Sequence, residues 1–319
     1  MNYLRKYGPL FLKGIAMGGA DVVPGVSGGT LAFITGIYER LLDAISSFDK
    51  DALQYALRFR WQALWKHIDG TFLLVLLSGI ALSIATLAKV IHFLLDEYPI
   101  QLWSFFFGLV IIAAYVVAKD ISHWRGSVII AGVVGIAIAY FITVATPAQT
   151  PTDTWFIFLS GAIAICAMIL PGISGSFILL ILGKYEYIVT ALTELNLLVI
   201  AVFGAGCVVG LLSFARLISW LLDRFYNTAI ALLAGFMIGS LNKIWPWKEV
   251  VSTRTNSKGE EVPFITENVL PSAYEQVTGQ TPYLGQAILF MIIGAGVVLA
   301  IDLVATRQQK TDRAVSNVQ

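Results

Sequence analysis

The chain has 319 residues, 57% hydrophobic and only 13% charged, with a formal net charge of +1. Soluble domains carry roughly a quarter charged residues, so the composition excludes an ordinary soluble protein and implies a polytopic membrane protein. Without a basic stripe to neutralise phosphates, a nucleic-acid partner is excluded as well.

The N-terminus carries Arg5, Lys6 and Lys13 ahead of a short apolar run, as a signal peptide does. Cleavage near Ala20 would remove the approach to the motif that follows, so we read this segment as retained. Residues 8–23 are too short to cross about 30 Å of hydrocarbon as a helix. They lead into Asp21-Val-Val-Pro24-Gly25-Val-Ser27-Gly28-Gly29-Thr30. Pro24 donates no backbone hydrogen bond and biases Val23 away from helix. A break at 24–28 and a second helix near 29–45 predict a re-entrant helical hairpin over 10–45. In 46–70, Leu53, Leu57, Trp61, Leu64 and Ile68 recur at helical spacing. That pattern predicts a basic amphipathic helix on the membrane surface, able to hold anionic headgroups nearby.

Spans are expected at 71–95, 100–118 and 127–146, separated by the acidic turn 96–99 and the basic loop 119–126. The proline- and threonine-rich stretch 146–154 separates the halves. A second hairpin is expected over 155–193, then spans at 197–222, 228–245 and 283–304, with a polar segment at 246–282.

The two hairpins share a sequence. A shift of 147 residues superposes Pro24 to Glu39 on Pro171 to Glu186 without a gap, with eight of sixteen positions identical. Shifted by 127, Gly79 meets Gly206, Lys89 meets Arg216 and Gly108 meets Gly235. The expected architecture is therefore an all-α polytopic membrane protein of two inverted-topology repeats, 1–147 and 148–319. Each repeat has a re-entrant helical hairpin plus three transmembrane helices. Three crossings per half invert the second half, and most Lys and Arg then fall on one side. Lys248, Arg254 and Lys258 in 246–282 are the exceptions.

Broken helices near the midplane of inverted repeats are transporter architecture. The hairpin breaks Pro24 and Pro171 free backbone amides, and the glycines let an anion approach them. The candidate phosphate-binding set is Gly25, Ser27, Gly28, Gly29, Thr30, Gly172, Ser174, Gly175 and Ser176. Asp21 has Met168 as its counterpart, and its charge within apolar sequence suggests coupling or gating. Glu39 and Glu186 are matched candidates for gating protons or for capping the hairpin ends. Lys89 and Arg216 lie inside spans, to contact a phosphate or to snorkel to the interface. His67, His92 and His123 show no metal-ligand spacing, no cofactor is implied, and Cys166 and Cys207 read as small buried hydrophobes.

These motifs, with the Gly-Ile-Tyr-Glu continuation of the first, resemble the PopT-type bacterial family of undecaprenyl-phosphate translocases along essentially the whole chain. The family's motif falls on Asp21, Pro24, Gly25, Ser27, Gly28, Gly29, Pro171, Gly172, Ser174 and Gly175. The resemblance implies a transporter, not an enzyme. It would return undecaprenyl phosphate, or a related polyprenyl phosphate, from the outer to the inner leaflet of the bacterial cytoplasmic membrane for reuse in cell-envelope synthesis. Membrane lipids are further partners, protons or sodium are candidate coupling ions, and both termini are expected in the cytoplasm. Two alternatives stay open. One is a small-anion or ion-coupled solute transporter. The other is a membrane-embedded polyprenyl-diphosphate phosphatase, whose Pro-Gly-x-Ser-Arg motif has an arginine where this chain has Gly28 and Gly175.

Overall fold

The computed structural model describes residues 2–23, 26–148, 150–255 and 261–316, without side chains at 2–6, 254–255, 262–264 and 305–316. Pro24, Gly25 and Lys258 fall outside the described residues, as do the side chains of Arg5, Lys6 and Arg254.

Helix α1 (Asn2–Asp21) ends at the first break. The single helix expected beyond it is in fact two, α2 (Gly28–Ile34) and α3 (Tyr38–Ser46). Gly36 turns the chain between them at φ +68°, a left-handed conformation that glycine adopts at little cost. The predicted amphipathic helix is also two, α4 (Lys50–Leu57) and α5 (Trp61–His67), parted where Phe59 takes φ +53°. Of the expected apolar positions Leu53, Leu57 and Trp61 are exposed, as are Phe59 and Trp65 between and beside them.

Helices α6 (Gly70–Glu97), α7 (Pro99–Ala118) and α8 (Gly126–Val144) follow close to the expected spans. Helix α9 (Thr154–Ile169) leads to the second break, then to α10 (Gly175–Ile181) and α11 (Tyr185–Thr193), bent 110° apart. Gly183, at φ +61°, makes that bend as Gly36 makes the first. Helix α12 (Leu197–Ser240) covers both expected spans and is 44 residues long, about 66 Å if straight. It is not straight: Phe225 interrupts it at φ −136°, ψ 48°, matching Tyr98 (φ −133°, ψ 48°) between α6 and α7. Each arm packs closely on a different helix, the first on α9 through Gly206 and the second on α8 through Gly235 and Gly239.

The chain is mostly helical, consistent with the expected all-α polytopic membrane protein, with one addition. Within 246–282, strands β1 (Lys248–Thr255) and β2 (Glu261–Asn268) form an antiparallel hairpin before helix α13 (Pro271–Thr278). β-Branched residues such as Val250, Thr253, Ile265 and Thr266 favour strand there. Helix α14 (Leu284–Ser316) closes the chain. Five of the described helices, α12 counted once, are long and apolar enough to cross a membrane.

Glycines set the closest helix approaches. A Cβ at Gly14 would collide with the Leu76 carbonyl, and one at Gly79 with the Phe11 carbonyl, so α1 and α6 touch backbone to backbone. Helices α9 and α12 repeat this through Gly161 against Phe203 and Gly206 against Phe158. Gly108 and Gly294 join α7 to α14, while Gly235 and Gly135 join α12 to α8. Small residues permit such contact where no hydrophobic effect drives helices together in lipid.

Polar side-chain contacts also distinguish two ends of the bundle. At one end Lys119 bonds Asp302 at 2.7 Å, Ser122 bonds Asn227, and Arg40 pairs with Asp69 at 2.7 Å. At the other, Gln101 bonds Gln286 at 2.6 Å, Asn242 bonds Thr143, and Ile100, Trp247, Tyr274 and Ala287 form a small core.

Candidate functional site

The two breaks meet inside the bundle. Ser27, in extended backbone, caps α2 by accepting from the Gly29 amide at 3.1 Å, and a serine at this position is a favoured cap. The same hydroxyl donates to the Met168 carbonyl at 3.2 Å. Thr30 Oγ1 accepts from the Gly172 amide at 3.0 Å. Gly29 is required by this approach, because a Cβ there would lie 2.7 Å from the Ile169 carbonyl oxygen. Gly172 has φ +89°, and a Cβ there would lie 2.6 Å from Ser240 Oγ.

Asp21 fills the first break. Its Oδ1 accepts from the Gly28 amide at 2.6 Å, placing a carboxylate on the free amides that open α2. The amides of Gly28 and Gly29, expected to receive a phosphate, are thus bonded to the protein's own Asp21 and Ser27. The second break differs. Met168 stands in the place of Asp21, no side chain caps Ser174, and the Ser174 and Ser176 hydroxyls pair at 2.8 Å. Ser27 and Thr30 are 1% and 0% exposed and Ser174 is 7%, whereas Ser176 is exposed. The seam is closed in this conformation, and its polar groups reach the surface beside Ser176.

The other expected residues lie apart from the seam. Glu39 and Glu186 are exposed in the first turns of α3 and α11. Burial first, then Asp43, Asp223 and Asp120, pushes the Glu39 carboxyl above its usual value. Arg216 donates to the Phe48 carbonyl at 2.6 Å and the Ser46 carbonyl at 3.4 Å, satisfying the free end of α3. Lys89 is exposed on α6. Cys166 and Cys207 are free, half-buried thiols that donate to the Gly210 and Gly161 carbonyls. Among the described residues no group of His, Cys, Asp and Glu could hold a metal ion.

Sequence reasoning gave four lysines no role in a site, counting Lys13 and Lys248 only toward the charge pattern. Lys13 donates to the Thr35 carbonyl at 2.6 Å and Lys184 to the Thr150 carbonyl at 2.7 Å. Lys243 and Lys248 follow α12, with ammonium groups 4.2 Å from the Phe177 ring centre and 3.9 Å from that of Trp103. A signal for the first pair was legible, since a charge inside apolar sequence marks a site by default.

The undecaprenyl phosphate translocase-like family matches residues 17–262 of this chain. The chain belongs to that family. It is 45% identical to a polyprenyl-phosphate transporter of Vibrio cholerae over 307 residues, 96% of this chain and 98% of the relative. A polyprenyl-phosphate transporter of Staphylococcus aureus is 33% identical over 255 residues, 74% of this chain and 85% of the relative. No solved structure matches the chain. The match spans both breaks.

Proposed function

We propose that this chain transports undecaprenyl phosphate, or a related polyprenyl phosphate, from the outer to the inner leaflet of the bacterial cytoplasmic membrane, returning the carrier for reuse. The family and both relatives are transporters rather than enzymes, and they carry the substrate class. The observation that carries the mechanism is the direct bonding of one break to the other, Ser27 to Met168 and Thr30 to Gly172.

The chain reads as two inverted repeats, 1–147 and 148–319. In support, the glycine crossings correspond: shifts of 147 and 127 carry Gly14 with Gly79 onto Gly161 with Gly206, and Gly108 onto Gly235. A shift of 159 carries Gly135 onto Gly294, so the third spans of the halves are exchanged between partners. Tyr98 and Phe225 are related by 127 as well. We place the end that gathers 46–70, 119–126 and 223–227 in the cytoplasm with both termini, following its Lys and Arg.

Phosphate arriving from the outer side meets the exposed Ser176 and then Ser174. Passage to Ser27 and Thr30 requires the two bonds between the breaks to open and Asp21 to leave the Gly28 amide. Protonation of Asp21, or a sodium ion beside it, is the coupling event that would release it. Glu39 and Glu186 stand as gates at the two ends. The isoprenoid tail beyond its first units stays in lipid. Transport in reconstituted vesicles tests this directly. We expect Ser27→Ala and Ser174→Ala to slow movement of the lipid, and wild-type rates in both would exclude the seam as the path.

A further inference from the structure

Lys243 and Lys248 present a charge imbalance that the seam does not explain. Both are half-buried, in the segment that leaves α12. Lys243 lies over the Phe177 ring, and Lys248 lies over the Trp103 ring while donating to the Lys243 carbonyl at 2.5 Å. Burial lowers the proton affinity of both ammonium groups, and at Lys248 the charge of Lys243 lowers it further. Among the described residues no carboxylate pairs with either. Aromatic faces offset part of the desolvation of a cation, but among the described residues the two neighbouring ammonium groups have no counter-ion, and a buried charge is ordinarily paired. An anion would supply that partner.

The place of this pair narrows the anion's chemistry. Phe177 directly follows Ser176 in the first turn of α10, and Ser240, three residues before Lys243, packs against Gly172. The two ammonium groups therefore stand at the outer end of the polar track that runs through Ser176 and Ser174 to the seam. We propose that Lys243 and Lys248 form a receiving site for a phosphate monoester, which holds the headgroup of a lipid monophosphate before it reaches Ser176. Trp103 and Phe177 line the site with apolar surface against which the first isoprene units would rest. Paired point charges suit a compact phosphate dianion better than a zwitterionic headgroup, whose own cation they repel. The proposal rests on the transport reading and adds to it a substrate-contacting site outside both repeated motifs.

Binding to the full chain in nanodiscs tests it, with undecaprenyl phosphate, undecaprenol and inorganic phosphate as probes. We expect the wild type to bind undecaprenyl phosphate well above undecaprenol. Lys243→Gln and Lys248→Gln should each weaken binding about tenfold or more, as loss of a charge-assisted bond requires. Lys243→Arg keeps the charge and controls for folding, and it should stay within about threefold of wild type. Unchanged affinity in both glutamine variants overturns the site and leaves the transport reading standing. Lysine-dependent binding of inorganic phosphate without binding of the lipid keeps the site and overturns the transport reading. Equal binding of undecaprenol and undecaprenyl phosphate overturns both.

Discussion

Thr30→Val is the most direct perturbation of the closed seam. Valine has nearly the shape of threonine, so packing is retained while the acceptor for the Gly172 amide is lost. Thr30 is fully buried, and the amide would be left without its partner. An unsatisfied buried donor costs about 1–3 kcal/mol. Interhelical bonds in membranes average nearer 0.6 kcal/mol, because the unpaired groups find other partners in lipid. A loss of about 1–2 kcal/mol, falling on the closed state alone, raises the open population about five- to thirtyfold. The assay is labelling of Ser174→Cys, in a background with Cys166 and Cys207 replaced by alanine, by a maleimide that does not cross membranes. Ser174 is 7% exposed in the closed seam, so its labelling rate reports opening. We expect Thr30→Val to raise that rate about fivefold or more. An unchanged rate, with the fold intact, would show that the bond does not hold the two breaks together.

Three further outcomes are expected. Asp21→Asn keeps an acceptor for the Gly28 amide but cannot titrate, so transport in vesicles should fall about tenfold or more while the protein stays folded. A wild-type rate would remove Asp21 from coupling. Gly36→Ala places a side chain at φ +68° and should lower stability to thermal unfolding by about 1–2 kcal/mol, whereas Gly126→Ala, which meets no neighbouring atom, should not. Burial and neighbouring acids raise the carboxyls of Glu39 and Asp120 above their ordinary 4.5 and 3.8. Their ionisation therefore opposes folding: stability is highest below those values and declines as pH climbs through the raised ones. Both are exposed and screened, so Asp120→Asn should gain no more than about 0.5 kcal/mol at neutral pH, seen as a flatter melting curve against pH.

Much of the fold was legible because membrane chains leave few options. Apolar runs at 71–95, 100–118 and 127–146 must be helices, since backbone groups in lipid bond within their own segment. The repeat was legible because Pro, Gly and Ser are unusual in such runs. Gly36 and Gly183 were visible as matched residues, but the turns they make were not, because a helix tolerates glycine and only backbone geometry reveals a left-handed φ. The strand pair at 248–268 was missed because short alternating polar segments resemble loops in a helical chain. Within the site, Ser27, Thr30, Gly172 and Ser174 were named, yet their bonding to each other was not readable. Sequence fixes neither which residues of separate hairpins face one another nor that Asp21 occupies the Gly28 amide. Lys248 was weighed only as a loop charge and Lys243, at the end of the span expected over 228–245, was not weighed at all, and only packing shows the aromatic rings beneath them.

The most direct measurement is leaflet-resolved movement of undecaprenyl phosphate in vesicles containing the purified protein, with and without a proton or sodium gradient. We expect the lipid to move faster than in protein-free vesicles. An excess of a second polyprenyl monophosphate should slow it, and inorganic phosphate should not. Movement no faster than in protein-free vesicles under every gradient, from protein shown to be folded, would contradict transport of this lipid.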